Sequence, residues 1–123
     1  MKLIADCLVA VIALIHFWFM TLEMFLWERP IGLKTFRNKP EMAEITAALA
    51  ANQGLYNGFL ASGLLVSFLL EPSVTLAFQV YFLCCVIIAG IYGAYSVSHR
   101  ILFIQSLPAI VALTFVYLAH SAV

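Results

Sequence analysis

Apolar residues fill this chain in four long runs, at about residues 3–27, 45–70, 74–97 and 101–120. Each is near or above the roughly 20 residues that an α-helix needs to cross the hydrocarbon of a bilayer. The breaks between them carry turn and helix-start signals. Residues 28–44 are polar and contain Pro30, Gly32 and Pro40. Proline suits the first helical turn, and Glu41 and Glu44 suit the positive end of a helix, so the second helix is expected to start at Pro40. Leu70-Glu71-Pro72 ends that helix, because proline disfavours the helical conformation in the residue before it. Ser73 is the expected cap of the third run. Ser98-His99-Arg100 reads as a tight turn, and Pro108 as a kink with helix on both sides. The pattern predicts an all-α fold: one domain over 1–123, an antiparallel up-down bundle of four transmembrane helices.

Composition points the same way. Of the 123 residues 65% are hydrophobic and 10% charged, with a mean hydropathy of +1.08. A water-soluble domain could not cover so much apolar surface with so few charges. The partner implied is the lipid bilayer, and a net charge of zero gives no reason to expect nucleic acid. Lys2 followed by an apolar stretch resembles the start of a signal peptide. The stretch runs past Leu22 without a small-residue cleavage site, so it is expected to remain as a span. Cys7, Cys84 and Cys85 lie in apolar runs without metal-ligand spacing and are expected to be small buried residues.

Lysine and arginine set the orientation. Arg29, Lys34, Arg37, Lys39 and Arg100 fall in the first and third connections, against Lys2 alone at the other side. The positive-inside rule then puts connections 28–44 and 98–100 in the cytoplasm and both termini outside, in a bacterial inner membrane. Two readings of the first connection stand side by side: Leu33 and Phe36, beside the basic residues, rest it on headgroups, or it is an ordinary solvated loop.

The polar residues inside the runs are the candidates for function. A carboxamide or carboxylate in hydrocarbon loses its hydrogen bonds to water unless the protein replaces them. The second run holds Asn52, Gln53, Tyr56 and Asn57. In the first run, His16, Met20, Glu23 and Trp27 share one helix face at about 100° per residue. His16 and Glu23 are about 10.5 Å apart along the axis, too far for a direct bond. In the third run Tyr81, Cys85, Tyr92, Tyr95, Ser96 and His99 gather on one side. Gly90, Gly93 and Ala94 lie mostly on the other and invite close approach of a neighbouring helix. The tyrosine side is expected to face the polar centre, and Val86 to face lipid. Glu23, Asn52, Gln53, Asn57, Tyr92, Tyr95, Ser96 and Gln105 of the fourth run form one layer in the cytoplasmic half, where Glu23 should meet Asn52, Gln53 or Asn57, and His16 lies deeper, near the midplane. The external half is nearly featureless.

Two uses of that layer compete. Amides and hydroxyls can simply hold helices together, at about 0.6 kcal/mol each. Glu23 argues for more, because an intramembrane ionisable residue is a functional candidate by default. With Glu23 and His16 as proton carriers, the layer would be a pocket for a small lipid-like molecule, binding or isomerising it by acid–base chemistry. Asn52, Gln53, Asn57 and Gln105 would orient polar groups, and Tyr56, Tyr92 and Tyr95 would line the walls. No cofactor is needed, and one His with one Glu falls short of a metal site. The rival classes are a proton-coupled exporter working as a homodimer and a scaffold subunit without a ligand.

His16 with Glu23-Met24-Phe25-Leu26-Trp27, the block Asn52-Gln53-Gly54-Leu55-Tyr56-Asn57-Gly58-Phe59-Leu60, Ala89-Gly90-Ile91-Tyr92-Gly93-Ala94 and Gln105-Ser106-Leu107-Pro108-Ala109 carry a resemblance. Through them the chain resembles a bacterial family of small four-helix membrane proteins, domain of unknown function 1304. The resemblance implies a four-span inner-membrane protein. It supplies no activity and no catalytic residues.

Overall fold

The computed structural model describes residues 1–121, and all its regular structure among those residues is helical. The helices are α1 (Lys2–Phe25), α2 (Pro30–Phe36), α3 (Pro40–Val66), α4 (Pro72–Ser96) and α5 (Leu107–Ser121). A 3₁₀ turn, Ser67–Leu69, ends α3, and a π-helical turn, Leu102–Ser106, leads into α5. Three helical segments are long and apolar enough to cross a bilayer: Lys2–Phe25, Pro72–Ser96 and Leu102–Ser121. Only 22–28% of their most apolar stretches is buried, so most of that hydrophobic surface faces outward, as in a membrane protein. α3 is not among the three, because Asn52, Gln53, Tyr56 and Asn57 dilute its apolar character.

The chain forms two compact units. The first contains residues 1–13 and 62–121, with α4 and the last helix at its centre. Gly90 allows close approach, since a Cβ there would collide with Ser106 Oγ. Across that contact Ser106 Oγ donates to the Ile87 carbonyl at 3.0 Å, and Gln105 Nε2 donates to the Val86 carbonyl at 3.3 Å. At Gly93 a Cβ would lie 3.1 Å from Ile101 Cγ2. Pro108 has no N–H to give and would crowd the carbonyl one turn back. The chain accommodates it by widening the preceding turn, where the Leu107 N–H reaches back to the Leu102 carbonyl. Helix therefore continues on both sides of Pro108, through a π turn.

The connection between α3 and α4 is tied by polar atoms that the sequence reading left aside. Thr75 Oγ1 donates to the carbonyls of Ser67 and Leu70 at 2.8 and 3.0 Å. Buried Gln79 donates from Nε2 to Ser67 Oγ at 3.3 Å. Ser73 does not cap α4, which corrects that expectation. Pro72 occupies the first turn, Glu71 is the N-cap without a side-chain bond, and Thr75 serves the carbonyls that end the previous helix.

The second unit is residues 14–61. Its polar segment is not simply a connection. Pro30 starts the short helix α2, and Arg37 closes it in the left-handed conformation with φ 56°. Gly32 lies so close to the end of α1 that a Cβ would collide with the Leu26 carbonyl oxygen. The Trp27 and Phe36 rings pack with centroids 4.7 Å apart, and Trp27 Nε1 donates to Thr46 Oγ1 of α3 at 3.2 Å. This aromatic contact gives α2 a reason to fold despite its length. Arg29, Lys34, Arg37 and Lys39 all remain exposed.

Candidate functional site: a carboxylate–carboxamide pair

α1 and α3 meet in the second unit through glycine. A Cβ at Gly54 would lie 2.7 Å from Met24 Cγ, 3.0 Å from Glu23 Cβ and 3.1 Å from the Met20 carbonyl oxygen. One turn on, a Cβ at Gly58 would be 2.7 Å from Met20 Sδ. With no side chain at either position, α3 lies directly on the Met20–Met24 turn of α1. Asn57, beside these glycines on α3, is brought within reach of Glu23. Its Nδ2 donates to Glu23 Oε2 at 2.7 Å, and the residue is only 7% exposed. Of the three carboxamides expected near Glu23, Asn57 is the one in contact. Glu23 Oε1 has no hydrogen-bond partner among the described residues.

The remaining polar residues are divided rather than gathered. Gln53 is one turn before Asn57, about 40° away around α3, and exposed. Asn52 and Tyr56 are exposed on another side, Asn52 about 140° from Asn57. His16 is buried, with the Phe19 ring edge-on at 5.8 Å. Gln105 belongs to the first unit, where its amide is used on the Val86 carbonyl.

The small-residue side of α4 packs as expected, while the placing of its tyrosines and of Val86 needs correction. Tyr92 is 69% and Tyr95 89% exposed, while Val86 is fully buried. The packed side is the one with Gly90 and Ala94, because small residues let the last helix approach. Tyrosines on the opposite side of a single helix must then point outward. The cysteines are corrected too: Cys7 is exposed, and Cys84 and Cys85 are half-buried, all as free thiols.

A shallow apolar groove of about 410 Å³ lies elsewhere, lined by Val80, Leu113, Thr114 and Tyr117. None of these belongs to the polar set around Glu23. Among the described residues no three His, Cys, Asp or Glu side chains gather as metal ligands would.

Among the described residues all regular structure is helical, and three helices have the length and apolar character of membrane spans, which is the make-up of a small helical membrane protein. The model of the family "Protein of unknown function (DUF1304)" matches residues 10–117, and the chain belongs to that family. No curated protein and no solved structure matches it.

Proposed function

We propose that residues 1–123 act as one integral membrane domain that binds a small lipid-like molecule at Glu23. In this reading four helices cross an inner membrane in alternating directions, with α3 and its continuation, about residues 45–70, as the second crossing. Residues 28–44 and 98–100 face the cytoplasm and both termini lie outside. The exposed cations Arg29, Lys34, Arg37, Lys39 and Arg100 support that orientation. The molecule enters from the cytoplasmic side or inner leaflet.

One observation carries the reading: Glu23 uses Oε2 on Asn57 at 2.7 Å and leaves Oε1 for another donor. Asn57 acts as a fixed support that holds the carboxyl in one orientation. A ligand with an apolar body and a hydroxyl, amine or amide donor would complete the carboxyl, with Gln53 one turn away to meet a second polar group. Catalysis by a paired acid and base is less well supported. His16 lies about 10.5 Å from Glu23 along α1, too far to act on the same bond of a small substrate.

The test compares co-purified small molecules in the wild-type protein and in Glu23→Gln, by extraction and mass spectrometry. Glutamine keeps an oxygen for Asn57, so the fold is retained while the carboxyl is lost. A recurrent species near one per chain, reduced at least about tenfold in Glu23→Gln, supports the site. Equal recovery from both proteins, or none from either, would leave Glu23 a structural residue. Proton-driven flux of a solute in liposomes would favour the exporter instead.

A further inference from the structure

We infer that α3 carries a second packing seam, through which it pairs with α3 of another copy of this chain. The packed stripe of α3 runs through Ala43, Ala50, Gly54, Asn57 and Ala61, all buried. A different stripe is exposed: Ile45 (75%), Leu49 (74%), Asn52, Tyr56 (55%) and Phe59 (55%). Its spacings alternate four, three, four, three, the repeat that keeps one face of a helix against a partner helix through a left-handed supercoil. Tyr56 and Phe59 meet edge-on with centroids 5.9 Å apart, giving the seam a fixed aromatic end.

The inference rests on the proposal that α3 crosses the membrane. Lipid could cover Ile45, Leu49 and Phe59 without cost. It cannot cover Asn52, about 10.5 Å along the helix from Ile45, whose amide would lose its hydrogen bonds in hydrocarbon. A second copy satisfies it directly. Copies inserted in the same orientation run α3 parallel, and a two-fold axis along the membrane normal puts each residue beside itself. A carboxamide both donates and accepts, so Asn52 is its own complement and would bond to Asn52 of the partner subunit. One polar residue in an otherwise apolar seam also sets the register of pairing. Asn57 and Glu23, on the other stripe, are untouched by this contact.

Cysteine scanning tests the seam in the full chain. Cys7, Cys84 and Cys85 are replaced by serine, and a cysteine is placed singly at each position from 48 to 60. Membranes are then oxidised and the dimer fraction read on a gel. Maxima at 49, 52, 56 and 59 with minima at 50, 54 and 57 are expected. Maxima elsewhere or a flat profile overturn the seam. Labelling of Asn52→Cys with a membrane-impermeant maleimide separates the two failures. Protection without cross-linking refutes the dimer and leaves the crossing standing, whereas free labelling refutes the crossing and the seam together. In the native background Asn52→Leu should raise the dimer dissociation constant about tenfold by energy transfer in liposomes. An unchanged constant also overturns the assignment.

Discussion

The Glu23–Asn57 bond can be weighed by removing each partner and then both. Asn57 is 7% exposed and donates to Glu23 Oε2 at 2.7 Å, so Glu23→Leu leaves a buried amide without its acceptor. An abandoned buried polar group costs about 1–3 kcal/mol, whereas replacing both partners by apolar side chains can be nearly neutral. Glu23→Leu and Asn57→Leu should therefore each be destabilising, and the double variant should lose less than their sum. Bonds between membrane helices average about 0.6 kcal/mol with a maximum near 1.7, which brackets the coupling expected. For a chain of 123 residues, 1 kcal/mol moves a thermal midpoint by roughly 3–6 °C. Glu23→Gln keeps an acceptor oxygen and should stay within about 0.5 kcal/mol of wild type. The assay is thermal unfolding in detergent, followed by circular dichroism on all four variants under one condition. Losses that add to within about 0.3–0.5 kcal/mol would show that the two residues do not act as a pair. The pair would then be too weak to hold the carboxyl in place for a ligand.

Two further outcomes are expected. Gly90→Val would press a side chain onto Ser106 Oγ and the Ser106 backbone nitrogen, 3.0 Å away, at a cost of about 1–3 kcal/mol, while Ile88→Val on the exposed side should be mild. Equal midpoints for those two variants in the same thermal assay would show that α4 does not pack on its small-residue side. Reporters fused to either terminus should give an external signal, and one inserted between Arg37 and Pro40 a cytoplasmic one. The reverse pattern would invert the proposed membrane orientation.

What could be read from the sequence alone was local or forced by solvent. Pro40 and Pro72 start their helices because proline's fixed φ and missing N–H act on its own turn, whatever surrounds it. The long apolar helices follow from composition. The contact between Glu23 and one of three carboxamides was foreseeable because a polar group among apolar residues has few partners to choose from. Tertiary packing decided the rest. Gly90, Gly93 and Ala94 marked a side of α4 that a neighbour could approach. The helix is apolar nearly all round, however, so its sequence did not say that Val86 would be covered with them or that the tyrosines would stay uncovered. Gly90 against Ser106 decides that, and sends Tyr92 and Tyr95 outward. Likewise, Asn52, Gln53 and Asn57 are chemically alike and within six residues of one another. Only the direct approach of α3 to Met20, Glu23 and Met24, permitted by Gly54 and Gly58, selects Asn57 and leaves Asn52 on the open side. A helix turns about 100° per residue, so a block of neighbouring polar residues is dealt out to different faces, and the face that finds a partner depends on which neighbour can come close.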